Sequence, residues 1–441
     1  MRIFFAFFLL LTILFSCKYR RPKSAAINNG QESLSQIQQL CIHRLTNVIV
    51  FDIFTPPVAA RIYAYANLAF YEALHWKIND RTSITGNLKK FDVMPRPQAG
   101  KEYNYNLASV KAFFSVAKAL VFSKDSLAIT ERQILNSLEQ TDKEDEYNNS
   151  LAFGDSVAAV ILKRAEADNY KITRGMAKYS VFNEKGKWQQ TPPDYADAVE
   201  PYWNKILPLL LDSSAQFSPP QPPPFDLNKS SLYYKELMEV YSVSKNISLT
   251  EDTIAHYWDD NPFVTEHKGH LMYATKKTTP AGHWMGIISA LCGTTRADDV
   301  RTAFVYAVTS SAIFDAFISC WDEKYRSRTI RPISVIRENI EPEWSSFLQT
   351  PPFPEYTSGH SVISSAAAEV LSYNIGNSVA FLDTTEREYL GLQRSFSSVN
   401  QAAEEACLSR LYGGIHFRSA IEKGQQQGKA IGKLYNTVFF K

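Results

Sequence analysis

Residues 409–420 read SRLYGGIHFRSA and place an arginine and a histidine on either side of two glycines. On one unbroken helix, Arg410 and His416 would point roughly 120° apart and could not bind one object. Glycine tolerates the backbone conformations that end a helix, so we expect one helix to stop at Gly413 and Gly414 and another to start near His416. Both side chains can then turn toward a common point, and the stretch predicts a binding site at a helix junction.

Helical periodicity extends from this junction over most of the chain, because apolar residues recur at three- and four-residue spacing. The segments are 58–77, 105–122, 128–141, 150–168, 231–242, 300–324, 359–373, 400–412 and 417–438. Since no run of alternating residues indicates strands, we predict an all-α protein built as a helical bundle. The stretch SPPQPPPFD, residues 218–226, separates an N-terminal helical region, 41–225, from a C-terminal bundle, 226–441, or lies as a strap over one continuous fold.

The charge of the 441-residue chain is nearly balanced, with 47 Lys and Arg against 45 Asp and Glu. A net charge of +2 gives no global reason to expect nucleic acid as a partner. Any anion-binding site must therefore be local.

The first residues, MRIFFAFFLLLTILFSC, combine a basic start with an apolar run and predict a signal peptide over residues 1–17. The run is shorter than the roughly 20 residues of a membrane-spanning helix. The end of this segment, LFSC, resembles the lipobox of bacterial lipoproteins, which implies a lipid anchor on Cys17. A plain secreted or inner-membrane-retained form is the alternative. We expect an exported lipoprotein of the outer membrane, facing the periplasm or the cell surface, with residues 18–40 as a polar tether.

The remaining cysteines and several histidines give little reason to expect a structural metal site. No cysteine pair has zinc-ligand spacing, so one or two disulfides or small buried thiols fit the cysteines at 41, 292, 320 and 407. The histidines at 256, 267, 270 and 283 lack a further ligand at zinc spacing, and no zinc is expected there.

Two other stretches concentrate cations and hydrogen-bond donors. In WDEKYRSRTIRP, Lys324 ends a helix and Arg331 precedes a proline, which places Arg331 on the following loop. In PPFPEYTSGHSV, Ser358 and Gly359 form a turn before a helix whose unpaired amides can bind an anion. His360 can exchange a proton there near neutral pH. Taken separately, a solvated basic face and a serine N-cap explain these stretches equally well.

Taken together, the three stretches resemble the signature of the superfamily of type 2 phosphatidic acid phosphatases (PAP2) and vanadium-dependent haloperoxidases. They read K-x6-R-P from Lys324, S-G-H from Ser358, and S-R-x5-H from Ser409. WDDNPFVTEH and TPAGHWMGI, within residues 258–287, are similar to the corresponding region of bacterial haloperoxidase-like members. The resemblance implies a helical bundle of that superfamily, with an additional N-terminal helical region and a site for phosphate or vanadate.

The resemblance also implies a role for each matching residue. His416 would bind the central atom, as the vanadium ligand if vanadate is the cofactor, and His360 would be the acid and base. Three cations, one hydroxyl and one amide would bind the oxygens of the anion: Lys324, Arg331, Arg410, Ser358 and Gly359. Asp260 is an expected supporting residue, either as a partner of Arg410 or as an ordinary helix-terminal aspartate. Phe353 is similar to the aromatic residue of chloroperoxidase-type members.

Two positions depart from the family pattern. Thr357 replaces a proline, which relaxes the turn but keeps every donor. Ala420 replaces an aspartate that commonly orients the imidazole, so Glu422 or a backbone carbonyl would have to substitute.

The resemblance favours a vanadium-dependent haloperoxidase-type enzyme that oxidises a halide with hydrogen peroxide. The alternative is a PAP2-type acid phosphatase that hydrolyses phosphomonoesters through a phosphohistidine at His416 and needs no cofactor. A third hypothesis is a non-catalytic surface lipoprotein that binds an oxyanion or a glycan, and Ala420 keeps it open.

Overall fold

A computed structural model describes residues 33–78, 82–139, 143–181, 184–268 and 270–440. The predicted signal peptide, with Cys17, and the tether residues 18–32 lie outside the described residues. Helix accounts for 60% of the chain and strand for 5%, so the predicted all-α class is confirmed.

The first described helix corrects the predicted tether, since α1 spans Leu34–Phe51. Ser33 and Gln36 form a capping box, in which each side chain accepts a hydrogen bond from the backbone N–H of the other residue. Leu34 and Ile37 are buried on the face that continues to Cys41. The tether prediction is therefore wrong for residues 34–40, because this apolar spacing packs a helix against the core.

The N-terminal part of the chain continues with five further helices, of which α2 is buried along nearly its whole length. These are α2 (Pro56–Leu74), α3 (Tyr105–Leu120), α4 (Lys124–Leu138), α5 (Glu144–Glu166) and α6 (Tyr170–Arg174). A long segment then runs to residue 231 and includes the proline-rich stretch; its described residues contain one short 3₁₀ turn, Trp203–Lys205.

The C-terminal part contains nine helices within the described residues and carries the three stretches of the sequence signature. They are α7 (Leu232–Lys245), α8 (Leu249–Tyr257), α9 (Pro280–Thr295), α10 (Asp299–Ser327), α11 (Pro332–Asn339), α12 (Gly359–Ile375), α13 (Arg387–Leu390), α14 (Val399–Tyr412) and α15 (Arg418–Phe439).

Two short antiparallel hairpins, not predicted from the sequence, interrupt these helices. They consist of β1 (Phe263–Lys268) with β2 (Leu271–Lys276), and β3 (Phe381–Asp383) with β4 (Arg394–Phe396). Every residue of β2 is exposed, so the first hairpin projects from the helical core.

The main hydrophobic core takes side chains from both sides of the proline-rich stretch, among them Phe70 of α2 and Phe314 of α10. Among the described residues, α10 is the helix long and apolar enough to cross a membrane, but its apolar window is wholly buried inside the protein. It is therefore the central core helix, and its C-terminal end reaches the candidate site. The division of the chain at residue 226 stays a prediction.

Cysteines within the described residues are free and buried. They are Cys41, Cys292, Cys320 and Cys407. The buried-thiol alternative is confirmed for them, and the disulfide alternative is wrong.

Candidate active site

Four element ends converge on one cavity of about 230 Å³. They are the C-terminal ends of α10 and α14 and the segments that lead into α12 and α15. Gly359, His360, Arg410 and His416 line the cavity, and Lys324, Arg331 and Ser358 lie buried around them. All seven site residues predicted from the sequence are therefore brought together.

The helix junction at residues 413–417 has the predicted form. Helix α14 ends at Tyr412, and Gly414 adopts a left-handed conformation with φ 72°, which favours glycine. A Cβ atom on Gly413 would lie 2.7 Å from the end of the Leu348 side chain, which would have to shift to make room for it. Because α15 begins only at Arg418, His416 lies between the two helices and faces the same cavity as Arg410.

His416 is held by a carboxylate that the sequence did not reveal. Its Nδ1 lies 2.8 Å from Oε1 of Glu355, which also accepts a hydrogen bond from the amide of Phe417 at 2.9 Å. On the other side of the ring, Nε2 lies 3.3 Å from Nη1 of Arg331. A guanidinium only donates, so Nε2 accepts and Nδ1 carries the proton toward Glu355. Nε2 is therefore unprotonated, and a ligand in the cavity can bind its lone pair once it replaces the long contact with Arg331.

Glu355 takes the place expected of the missing aspartate at position 420. Ala420 is fully buried, and its carbonyl accepts a hydrogen bond from the Ser358 amide at 3.1 Å. The expectation that Glu422 or a backbone carbonyl orients His416 is wrong, since the carboxylate comes from the loop before α12. Burial raises the pKa of Glu355 to about 7, although the positive charge of Arg331 opposes that rise.

Two buried cations lie behind His416. Nζ of Lys324 donates to the carbonyls of Pro354 and Glu355, at 3.0 Å each, and also to the carbonyl of Thr357. Arg331 donates from Nε to the Phe353 carbonyl at 2.9 Å. Its Nη2 is buried and has no hydrogen-bond partner among the described residues, so one donor is free for a ligand.

Arg410 is oriented by backbone carbonyls. Its Nη2 donates to the carbonyl of Trp258, and its Nη1 lies 3.4 Å from the carbonyl of Asp259. Nε donates to the Ser409 hydroxyl at 2.9 Å. The guanidinium is fixed at the cavity wall without a direct carboxylate partner among the described residues.

Asp260 does not pair with Arg410, which was one of the two roles considered for it from the sequence. The residue adopts a left-handed conformation with φ 45°, and its carboxylate turns toward two histidines. Oδ2 lies 3.3 Å from Nε2 of His360, and Oδ1 lies 2.8 Å from Nδ1 of His283. Burial, together with the charge of Arg410, lowers the pKa of His360 to about 4, so its imidazole is neutral at physiological pH.

The N-terminus of α12 supplies neutral donors. Ser358 is the N-cap, and its hydroxyl oxygen accepts from the Ser361 amide at 3.4 Å and the Ser361 hydroxyl at 2.9 Å. Its own proton remains available to a further acceptor. A Cβ atom on Gly359 would approach only the Trp321 ring, at 3.7 Å, so the cavity side of this residue is open. These positions can donate to an oxyanion as the sequence predicted for a helix start.

Aromatic rings form the wall between the cations and the cavity. The Phe353 ring centroid lies 5.0 Å from that of Trp321 and 5.1 Å from both Lys324 Nζ and Arg331 Cζ. The predicted supporting position of Phe353 therefore lies at the site, where its face stabilises both cations.

The electrostatics favour an anion. Burial, with the nearby positive charge of Arg331, lowers the pKa of Lys324 to about 7. Burial also lowers the pKa of Arg331, to about 10, and Arg410 adds to this shift by repulsion. The pKa of His416 falls well below its usual range, first through burial and then through the three cations. A bound oxyanion would relieve this repulsion.

The donor set fits vanadate. The unpartnered Nη2 of Arg331 and the open amide side of Gly359 suit anionic oxygens, and the unprotonated Nε2 of His416 suits a metal centre. The fully oriented ring, with Nδ1 held by a carboxylate, is the arrangement typical of metal-bound histidine.

Known structures resemble the whole chain. A crystal structure described as that of the first bacterial vanadium-dependent iodoperoxidase is 44% identical, covers 92% of this chain and 96% of its own, and superposes with a TM-score of 0.86. A holo-type bacterial vanadium-dependent chloroperoxidase is 16% identical over 93% of this chain and 98% of its own, with a TM-score of 0.71. Its apo-type counterpart, also 16% identical, covers 88% and 95% with a TM-score of 0.66.

A family model for the second helical-bundle domain of the vanadium chloroperoxidase (VCPO) matches residues 304–440, which hold the three signature stretches. No curated relative matches the chain significantly. The likeness to the chloroperoxidases, at 16% identity, supports the fold alone, whereas the iodoperoxidase is 44% identical over nearly all of both chains. This protein is therefore an enzyme of the vanadium-dependent haloperoxidase family.

Proposed function

We propose that the protein binds vanadate in the cavity at the helix junction and uses hydrogen peroxide to oxidise iodide. The observation that carries this proposal is the pairing of His416 with Glu355, which leaves Nε2 unprotonated and facing a cavity surrounded by buried cations. A site that only binds phosphate needs the cations alone, whereas a vanadium ligand, like the nucleophile of the phosphatase alternative, also needs that lone pair.

In this proposal His416 Nε2 is the ligand to vanadium. The Ser358 hydroxyl, the Gly359 amide and the guanidinium groups of Arg331 and Arg410 would donate to the oxygens of vanadate. Lys324, whose Nζ already donates to three backbone carbonyls, would contribute its positive charge. Charge neutralisation by groups fixed in a water-poor site is the largest effect that such a cage supplies. The partly neutral Lys324 becomes fully protonated when the anion binds.

When bound, vanadate supplies the centre at which hydrogen peroxide is activated for attack by the halide. His360 is the proton acceptor for the incoming peroxide, because its imidazole is neutral and borders the cavity. Overall, hydrogen peroxide, iodide and one proton yield hypoiodous acid and water, with two electrons passing from iodide to the peroxide oxygens. Phe353 and Trp321 limit access of water from one side.

Iodide is favoured by the 44% identity to a protein described as an iodoperoxidase. The similarity of Phe353 to the aromatic residue of chloroperoxidase-type members is the competing observation. Chloride and bromide are harder to oxidise than iodide, so activity with all three would indicate a chloroperoxidase-type enzyme.

The test uses purified protein without residues 1–17. Triiodide formation should require vanadate, peroxide and iodide together, and parallel assays should contain bromide, chloride or a chromogenic phosphomonoester. Hydrolysis of the phosphomonoester that added vanadate abolishes would instead support the acid phosphatase, with His416 as nucleophile. Vanadate binding without any turnover would support the non-catalytic hypothesis.

We also propose that the mature protein is anchored to the outer membrane through a lipid on Cys17, facing the periplasm or the cell surface. The resemblance of LFSC to a lipobox supports this proposal. Labelled palmitate should be incorporated into the wild-type chain in bacterial cells and not into Cys17→Ser. Equal labelling of both would contradict the anchor.

A further inference from the structure

A line of buried ionisable side chains leads away from His360. Asp260 lies next to His360, His283 of α9 lies behind Asp260, and Asp383 of β3 lies behind His283. His283 is fully buried, and its ring stacks on that of Trp258 at 4.3 Å. Of these groups, the proposed reaction uses only His360.

His283 contacts a carboxylate through each ring nitrogen. Nδ1 lies 2.8 Å from Asp260 Oδ1, and Nε2 lies 2.9 Å from Asp383 Oδ2. Ionised carboxylates only accept, so both nitrogens must donate and His283 is an imidazolium. The second carboxylate is itself fixed, because Asp383 accepts from the Thr385 amide at 3.0 Å and its hydroxyl at 2.6 Å. The two carboxylates accordingly hold the pKa of His283 well above its usual range.

A bound cation is a competing explanation for this cluster, because ligand atoms of Asp260, His283 and Glu386 lie within 4.8 Å of one another. A cation needs a lone pair on the imidazole, and both nitrogens of His283 are instead directed at carboxylates. Burial also raises the pKa of Glu386 to about 8, so this carboxyl group is mostly neutral at pH 7. The geometry therefore favours a hydrogen-bonded chain over a metal site.

This row of hydrogen-bonded side chains ends at Asp260, which can set the tautomer of His360. Because Asp260 Oδ2 faces Nε2, the carboxylate favours the proton on that nitrogen and leaves a lone pair on Nδ1. Nε2 of His360 is buried and has no hydrogen-bond partner of normal geometry among the described residues, so its contact with Asp260 Oδ2 is an ion-pair contact and not a formed hydrogen bond. Catalytic hydrogen bonds are often long or poorly aligned before a ligand binds and tighten afterwards, so we expect the 3.3 Å contact to become a hydrogen bond in the occupied site.

We propose that Asp260 and His283, anchored by Asp383, are positioning residues that fix His360 in the tautomer whose Nδ1 accepts a proton. The inference rests on the proposed function, because proton transfer at His360 belongs to it. Asp260 orients the ring, and His283 keeps Asp260 in place and partly offsets its charge. Without this offset, the negative charge of Asp260 would keep His360 protonated, and the imidazole could then not accept a proton.

The charged groups around both histidines bear on any pH dependence. Those near His283 come from the end of α8 and the segment after it, and from β3 and the segment after it: Tyr257, Asp260, Asp383 and Glu386. Those near His360 come from the segment after α8 and from the junction of α14 and α15: Asp259, Asp260, Arg410 and His416. Removing the His283 charge should raise the pKa of His360, because a nearby positive charge disfavours imidazolium.

The first test is independent of turnover. The mature chain is labelled with ¹⁵N-histidine, and the imidazole signals are followed by NMR from pH 5 to 9 without vanadate, with His360→Gln to assign the residue. We expect His360 to carry its proton on Nε2 and His283 to be protonated on both nitrogens throughout. A neutral His283 at pH 7, or a His360 proton on Nδ1, would overturn the proposal.

Variants then test the coupling. In His283→Leu the pKa of His360 should rise by about one unit or more, whereas His43→Leu, which breaks an exposed pair with Glu388, should leave it unchanged. His283→Asn keeps a neutral donor toward Asp260 and should give an intermediate shift. An unchanged tautomer and pKa in either folded variant would overturn the proposal, and the wild-type spectra decide it if neither variant folds.

Kinetics separate positioning from a merely structural role. With vanadate, His283→Leu should lower kcat for iodide oxidation by about 10- to 100-fold, with KM for iodide nearly unchanged and the acid limb of the pH profile moved to higher pH. A stoichiometric divalent metal in the purified wild type that is lost in His283→Leu would overturn the proposal. Absence of halide oxidation in the wild type would refute the proposed function, whereas the NMR result would still decide the tautomer.

Discussion

At the scale of single residues, the site depends on which groups are forced to be neutral. His416 is useful as a ligand only while Nε2 is unprotonated, and Glu355 ensures this by accepting the Nδ1 proton. His360 is neutral for a different reason, because burial and Arg410 oppose its charge. Two imidazoles can therefore share one cavity with three cations.

Replacing Glu355 should weaken vanadate binding. Glu355→Ala removes the acceptor that orients His416, so we expect a loss of about 10- to 100-fold in vanadate affinity, measured by equilibrium dialysis. Glu355→Gln keeps an acceptor oxygen and should lose less. The matched control is Glu388→Ala, which removes the carboxylate partner of exposed His43, 2.9 Å away, and should bind like wild type. Equal affinities in Glu355→Ala and the control would contradict the role of Glu355.

Vanadate binding should weaken as the pH rises through about 7. The pKa of Lys324 is lowered to about 7 in the vanadate-free site, and a bound anion raises it. Below this pH the lysine is already charged; above it, binding must also take up a proton, which costs up to about tenfold in affinity per pH unit. Calorimetry in buffers of different ionisation enthalpy should show proton uptake near pH 8.

The control for this titration is Lys324→Arg, whose side chain stays charged throughout. Any titration of vanadate itself is common to both proteins and cancels in the comparison. An identical pH dependence in the two proteins would show that Lys324 is not the titrating group.

Glu355 and His283 also show what a sequence reveals at this scale and what it does not. Cations and histidines in the signature stretches were recognisable because each stretch is contiguous. Glu355 is 61 residues from His416, and Asp383 is 100 residues from His283. Only the folded helices bring such pairs together, so no local spacing identifies them.

At the scale of elements, α12 and α15 hold the site through close backbone contact. A Cβ atom on Gly428 of α15 would lie 2.1 Å from the Val362 carbonyl oxygen of α12. Backbone atoms cannot move aside as a flexible side chain can. The helix that begins with Gly359 is thus positioned by a glycine almost 70 residues further along the chain.

Gly428→Ala should therefore destabilise the protein by about 1–3 kcal/mol, measured by urea unfolding, because the helices must separate. Vanadate affinity should fall as well, since α12 carries Ser358 and Gly359. The matched control is Gly293→Ala in α9, where a Cβ atom would meet nothing within 4 Å. There we expect no loss and up to about 1 kcal/mol of gain from helix propensity. A loss in the control as large as that of Gly428→Ala would contradict the packing explanation.

The helices that could be predicted from the sequence were those with one apolar and one polar face. All nine segments with clear periodicity overlap helices in the structure. Helix α9 was missed because it is apolar on most sides and buried, so its sequence has little contrast between faces. Helices α8 and α11, of 9 and 8 residues, are too short for a period to stand out. The exposed strand β2 lacks a buried face and therefore the alternation that indicates a strand.

At the scale of the whole molecule, the cavity joins elements that are otherwise separate in the sequence. Its cations and donors come from the ends of α10, α12 and α14 and from the segments before α11 and α15. The N-terminal helices contribute none of the seven predicted site residues, yet α2 packs directly against α10 in the main core. Their role in this fold is to support the central helix that carries Lys324.

Because so many elements meet at the cavity, vanadate should stabilise the entire fold. A ligand that binds only the native state adds about 2.7 kcal/mol at a concentration 100 times its Kd, and Tm should rise accordingly. In His416→Ala, both the increase in Tm and the halide oxidation should disappear. His43→Ala, which removes an exposed imidazole outside the cavity, should retain both. If His416→Ala kept the full increase in Tm, vanadate would be bound elsewhere; if it kept turnover, His416 would not be the vanadium ligand that the reaction requires.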